Sequence, residues 1–457
     1  MFGRVKKLHF VGIGGIGMSG IAELLLNMGF EITGSDLSEN EQTRRLEKLG
    51  ARIFYGHRPE NVGDAQVVVI SSAIKPDNVE VLRARELKIP VIKRAEMLSE
   101  LMRMKYGIAV AGSHGKTTTT SMIARVMIDA GFDPTVIVGG KLYDIGSNAR
   151  LGKGEYLIAE ADESDGSFLM LMSYIAVITN IDEEHLDYYQ SYQNILRAFT
   201  DFGNRVPFYG LDIVCGDDRG VKEILPFLKK RVLTYGFSGE NDITAEIMES
   251  DGGYIYRVKY RGNDLGIFRL KIPGKHNVLN SLAAIGVGME LEIDVDRIRE
   301  SLSNFSGVKR RLEVVYSDEG ITIIDDYGHH PTEISNTIQA VKEMFPGRRL
   351  IVAFQPHRYT RTRALMNRFG ESLKGADLLI LTEIYPAGEN PIEGVSGEAL
   401  YWNVKDVVGD KVTFAPTLVD VVEAIEEVFK EGDVILTLGA GNIYRVAEEL
   451  KEWRLKR

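Results

Sequence analysis

The densest run of chemistry-bearing residues is AGSHGKTTTT at 111–120. Glycines at 112 and 115 let successive backbone N–H groups turn toward one anion, Lys116 can reach terminal phosphates, and the Thr117 hydroxyl can hold a divalent metal. Ser113, His114 and Thr118 complete this candidate ATP cradle. Its spacing, Gly112-x-x-Gly115-Lys116-Thr117, is two residues shorter than the general phosphate loop. Phosphoryl transfer needs a divalent cation, so an acid is expected where a neighbouring strand ends. Glu160 in YLIAEADESD fits that place, while Asp162, Glu163 and Asp165 read as a solvated charge run. His185 and Asp187 in TNIDEEHLD stand where the next strand reaches the ligand side of a sheet.

A second glycine pattern lies near the start. Gly12, Gly14 and Gly17 form G-x-G-x-x-G, with Gly15 inside it, and Asp36 stands 24 residues beyond Gly12. Taken alone, this fingerprint favours a nicotinamide dinucleotide over other diphosphates. With a separate ATP-type loop downstream, a nucleotide-linked substrate such as a UDP-sugar is the more economical reading. Ser71, Ser72 and Ala73 follow the apolar run VVVI and offer small polar contacts, although an ordinary strand-end loop accounts for them as well.

Both motifs need parallel sheets to hold them. Over the first hundred residues, apolar runs (LHFVGIG, EITGSD, VVVISSA) alternate with helical stretches at 18–28, 41–49 and 96–105, a βαβ rhythm. It restarts at GIAVAG, continues through a helix at 118–130 and the runs YLIAEA and IAVITNI, and gives way at 231–272 to short strands expected to form an antiparallel appendage. A third rhythm runs from about 312 through ITIIDD, the apolar stretch 349–354, DLLILTE and DVILTLG. The expected fold is therefore α/β in three domains, 1–103, 104–311 and 312–457, a number that 457 residues also suggest.

Composition excludes other classes. Sixty-five acidic residues outnumber 55 basic ones, and the net charge of −10 argues against a nucleic-acid partner. The single cysteine, Cys215, excludes an intrachain disulfide framework and reads as structural. No signal-peptide pattern opens the chain and no apolar run is long enough to cross a membrane, so a cytoplasmic protein is expected.

The motifs together resemble the Mur ligase superfamily, in its alanine-adding branch. The resemblance rests on GIGGIGMSG (12–20), AGSHGKTTTT, EADESDGSF (160–168), NIDEEHLD (180–187), GKHNVLNSLAA (274–284), DDYGHHPTE (325–333), FQPHRYTRT (354–362) and TLGAGNI (437–443). It implies a Rossmann-like N-terminal domain for UDP-N-acetylmuramate, a central P-loop ATPase-like domain, and a C-terminal Rossmann-like domain that closes over both and helps to bind L-alanine. By the same resemblance His276, Asn277 and Asn280 frame the adenine, Arg311 meets ATP phosphates, and Asp326 meets the ribose. Thr117, Glu160 and His185 would hold Mg2+, with Mn2+ as the alternative. Tyr327, His329, His330, Arg358, Tyr359 and Arg361 would line the acceptor side.

The implied reaction is ATP-dependent amide formation through an acyl phosphate, a step of peptidoglycan precursor synthesis, by a monomer or homodimer. Lys116, Arg358 and Arg361 are its expected catalytic cations, and His329, which titrates near neutrality, is the expected base. Residues 186–205 contain no lysine, so the carbamylated lysine used by several relatives is not expected. A tripeptide-attaching relative stays close on sequence. An NAD-dependent oxidoreductase would leave Lys116 without a role, and a regulatory ATP switch would leave the N-terminal glycines without one.

Overall fold

The computed structural model describes residues 5–71, 73–138, 149–250 and 252–456, with the side chain of Asp187 left aside. Ser72 therefore lies outside the described residues. Three sheets organise the chain. The first comprises β1 (Lys7–Val11), β2 (Glu31–Asp36), β3 (Arg52–Tyr55), β4 (Val67–Ile70) and β5 (Val91–Lys93) in the order β3-β2-β1-β4-β5, all parallel. Strand order reverses between β1 and β4, and the crevice at the carboxyl ends of such a pair is where ligands bind in open α/β sheets. Gly12 follows β1 and Ser71 follows β4, so the sequence delivers the glycine turn to that crevice.

The second sheet contains β6 (Tyr106–Ala111), β7 (Thr135–Ile137), β8 (Ala149–Arg150), β9 (Tyr156–Glu160), β10 (Ile175–Ile178), β11 (Leu211–Cys215), β12 (Arg231–Gly236), β13 (Ile243–Ser250), β14 (Tyr254–Tyr260) and β15 (Asn263–Leu270). Their order is β15-β14-β13-β12-β11-β10-β6-β9-β7-β8. The central strands β6, β9 and β10 are buried apolar runs paired in parallel. The antiparallel reading of 231–272 needs correction at its start, because β12 pairs with β13 in parallel through Tyr235 and Gly236.

The third sheet is built from β16 (Glu313–Ser317), β17 (Ile321–Asp326), β18 (Leu350–Phe354), β19 (Leu378–Leu381), β20 (Val412–Phe414) and β21 (Asp433–Leu438), ordered β16-β17-β21-β18-β19-β20. The apolar runs foresaw β17, β18, β19 and β21. The edge strands β16 and β20 carry polar residues between short apolar ones and lacked that signal.

By packing, the chain forms two compact units. The first consists of residues 1–246, 257–268 and 279–303, and the second of 247–256, 269–278 and 304–457. In the first unit a continuous core runs from Leu8, Phe10 and Leu25 through Met97 and Leu101 to Ala109, Phe168 and Phe199. In the second, apolar layers cover both faces of the sheet, Ile324, Val352 and Leu436 on one and Ile323, Ile351 and Ile435 on the other, as period-two strands require. Cys215 is buried, in keeping with a structural role. Among the described residues no helix is long and apolar enough to cross a membrane.

Candidate active site

The phosphate loop joins β6 to the helix Lys116–Asp129. Gly112 and Gly115 have φ of +139° and +81°, which side chains with a Cβ rarely adopt. A Cβ on Gly115 would also lie 2.7 Å from Asn280 Oδ1. Asn280, buried in the helix Lys275–Glu290, thus packs directly against the loop. The strand β10 continues into residues that fix the loop from beneath. Asn180 Oδ1 accepts the His114 N–H at 2.8 Å, Thr179 Oγ1 donates to His114 O at 2.6 Å, and the Asp182 N–H reaches Ser113 Oγ at 2.8 Å. None of these three was singled out by sequence, because their polar types are common in loops.

Lys116 folds back over its own loop, donating to Gly112 O at 2.5 Å and to Glu163 Oε1 at 2.9 Å. Burial would lower the Lys116 ammonium, but Glu163 and Glu184 outweigh it and keep the group charged. Burial pushes the Glu163 carboxyl up to about 7 against the pull of Lys116, with repulsion from Asp162 and Glu184 added. The expectation that Glu163 belongs to a solvated run is therefore wrong. It is 3% exposed, and the Tyr189 hydroxyl donates to its carbonyl at 2.6 Å.

Glu163, Glu184 and His185 converge, with one ligand atom of each within 4.8 Å of the others. His185 Nε2 lies 3.7 Å from Glu163 Oε1, and Glu163 Oε2 is buried with no hydrogen-bond partner among the described residues. An orphaned carboxylate oxygen beside a histidine and a second acid fits a divalent cation. The backbone of His185 is held at φ +54°, a conformation non-glycine residues seldom take. Glu160 ends β9 three residues before Glu163 and is outside this cluster, and Thr117 opens the adjoining helix.

In the first sheet Ser35 O accepts both the Gly12 and Ile13 N–H groups, and Asp36 Oδ2 accepts the Gly14 N–H at 2.8 Å. Asp36 is thus bound to the glycine turn through one carboxylate oxygen. A Cβ on Gly14 would collide with Asn40, and one on Gly17 would lie 3.1 Å from Arg94 Nη1. Gly15 caps the following helix. Arg94, not anticipated from sequence, also pairs with Asp162 at 3.1 Å, joining the glycine turn to the loop after β9.

The second unit holds the remaining expected residues. His276 and Asn277 open the helix Lys275–Glu290, and Asn277 Nδ2 donates to Pro273 O at 2.6 Å. Arg311 lies over the Tyr327 ring at 5.2 Å and pairs with Glu333 at 3.4 Å. Asp326 is buried, and its carboxylate accepts from the N–H groups of Leu312 and Gly328 and from Thr337 Oγ1. These donors fix the carboxylate where β17 ends. His330 caps the helix Pro331–Met344 and is fully buried. His329 Nδ1–H donates to Tyr327 O at 3.1 Å. Arg361 Nη1 donates to His357 Nδ1 at 3.1 Å, and the His357 ring stacks on Tyr385. Burial, then His329, Arg361, Arg358 and Arg310, lower His357 to about 3, so it stays neutral and can accept. Arg358 caps the helix that Tyr359 opens, at φ +69°.

Comparison with known proteins accounts for this combination. Residues 7–106 match the Mur ligase family catalytic domain, 110–288 the Mur ligase middle domain, and 310–441 the Mur ligase glutamate ligase domain. The chain belongs to the Mur ligase family. It is 53% identical over 453 residues to a UDP-N-acetylmuramate–L-alanine ligase of Geotalea daltonii, covering 99% of each chain. A protein of the same description from Geobacter sulfurreducens is 52% identical over 450 residues, 98% of this chain and 97% of that one. Among solved structures, UDP-N-acetylmuramate-alanine ligase MurC from Thermotoga maritima superposes with a TM-score of 0.84 at 31% identity, covering 99% of this chain and 100% of that one. The murein peptide ligase of Psychrobacter arcticus shares the fold, with a TM-score of 0.73 at 24% identity over 98% of each chain.

Proposed function

We propose that this Mur ligase joins L-alanine to the lactyl carboxylate of UDP-N-acetylmuramate, with ATP cleaved to ADP and phosphate, in cytoplasmic peptidoglycan precursor synthesis. The observation that carries this reading is identity of 52–53% over almost the whole chain to ligases of that description, on a fold whose phosphate loop is intact.

A carboxylate oxygen of UDP-N-acetylmuramate attacks the γ-phosphorus, the bond to the β-phosphate oxygen breaks, and ADP leaves an acyl phosphate. Lys116, charged and seated in the loop, meets the developing negative charge on the transferred group. To do so it exchanges Glu163 for phosphate oxygens. Thr117, Glu160 and His185, with Glu163 and Glu184 beside His185, would hold Mg2+ or Mn2+, which when bound neutralises phosphate charge. Gly12, Gly14, Gly15, Gly17 and Ser71 receive the UDP-sugar, and Asn280 packs the ATP loop. In the second unit Arg358 and Arg361 offer guanidinium forks to substrate carboxylates. His329, basic at Nε2, takes the proton of the alanine amine, which then attacks the acyl carbon and expels phosphate. His329→Ala should flatten the acidic limb of the turnover–pH profile. An unchanged limb would assign the proton to another group.

Phosphate release from ATP tests the whole reading. With UDP-N-acetylmuramate and Mg2+, L-alanine should give the fastest release and an amide product of matching mass, with glycine and L-serine slower. EDTA should stop release and added Mg2+ restore it. Release only with the tripeptide of the recycling ligases would replace the acceptor, and release that ignores every amino acid would overturn the function.

A further inference from the structure

Beneath the glycine turn of the first sheet lies a buried carboxylate that the reaction does not use. Glu80, in the helix Val79–Glu86, is 0% exposed. Its Oε2 accepts from Ser35 Oγ at 2.6 Å and from His9 Nε2 at 3.2 Å, and its Oε1 from Asn61 Nδ2 at 2.6 Å and the Arg58 N–H at 3.1 Å. Burial pushes this carboxyl up, but the bonds from His9, Ser35 and Asn61 outweigh burial and hold it below the usual range. Proton positions follow from the partners. His9 Nε2–H donates to Glu80, and its Nδ1 shares a hydrogen bond with Thr33 Oγ1 at 2.8 Å. Ser35 gives its only proton to Glu80, so its oxygen accepts from His57 Nδ1–H at 3.0 Å. Ser35 is the link to the site, because its carbonyl receives the Gly12 and Ile13 N–H groups at 2.8 and 3.0 Å.

We infer that Glu80 is a positioning residue for UDP-sugar binding, fixing Ser35 and through it the glycine turn. The inference rests on the reading that this turn receives the diphosphate. A buried carboxylate with four donors anchors parts of four segments, β1, β2, the loop after β3 and the helix after β4, at the crevice where strand order reverses. The network also tells Glu80→Gln from Glu80→Ala. Glutamine satisfies it if Oε1 keeps Arg58 and Asn61 while the new amide donates to Ser35 and His9, whose hydroxyl and imidazole can both turn into acceptors. Alanine leaves four donors without an acceptor.

Steady-state kinetics of full-length Glu80→Ala should show KM for UDP-N-acetylmuramate raised about tenfold or more, with KM for ATP and kcat within about threefold, and Glu80→Gln should restore that KM. Equal losses in all constants, or an unchanged KM for the UDP-sugar, would overturn the inference. If Glu80→Ala does not fold, Ser35→Ala cuts the same link, and amide exchange at Gly12 and Ile13 should accelerate about tenfold in the absence of any substrate. Unchanged exchange would remove Glu80 from this role. Wild-type protein that binds no UDP-sugar would instead overturn the functional reading, while leaving the exchange result standing on its own.

Discussion

Lys116→Met should lower turnover at least about 1000-fold, an activation penalty of about 4 kcal/mol, while the protein stays folded. Two features combine to give so large an effect. Lys116 is the one residue of the loop whose ammonium sits on the loop's own carbonyl while facing acidic neighbours, so its charge is already placed before ATP arrives. Methionine follows the lysine stem as far as Cε and keeps it packed, so packing is a minor loss. Folding survives because the Glu163 carboxyl, which burial pushes up to about 7, can take up a proton once its partner is gone. Single-turnover formation of acyl phosphate isolates the step. A rate within tenfold of wild type would show that another cation meets the transferred group.

The second large effect concerns stability. Asp212 in β11 is fully buried between β10 and β12, and among the described residues neither carboxylate oxygen has a hydrogen-bond partner. Burial pushes its pKa up to about 8, partly opposed by Lys230. A carboxyl raised on folding favours the protonated native state. Its stabilising contribution is whole below the unfolded value of about 4 and is lost as pH climbs to 8. Asp212→Asn removes the ionisation and keeps the shape. The variant should match wild type near pH 4 and be more stable by about 2–4 kcal/mol at pH 9, less than the full shift because the amide also lacks partners. Urea unfolding at several pH values reads this directly. A stability difference that does not grow with pH would mean that Asp212 finds a partner in solution.

What the sequence made legible follows from how each signal is encoded. The glycine turn, the phosphate loop and the central strands depend on local spacing and on buried apolar runs, and all appear where they were expected. Glu163 did not, because its burial is a tertiary event. Only the folded chain brings Lys116, Tyr189 and His185 around it, and a string of acids otherwise looks like a wet surface. The partners of Asp326 and Asp36 were not legible either, because the backbone N–H groups that meet these carboxylates are presented by turns that only the folded chain supplies. Residues 231–272 carry the turn signals of hairpins, yet β12 and β13 run in parallel because pairing is decided by the route of the loop between them. Arg94 offered no signal, being one arginine at a helix start whose partners lie at Gly17 and Asp162.

Family likeness breaks between 106 and 110, where one matched segment stops and the next begins. The folded chain has no slack at that seam. Ser99 Oγ donates to Met170 O at 2.6 Å, Arg94 pairs with Asp162, and one apolar core continues from the first sheet into the second. The seam therefore records how the chain is assembled from modules without serving as a hinge. Strain introduced at the glycine turn after β1 should therefore reach the loop after β9 through packed side chains, much as load passes through a glued joint.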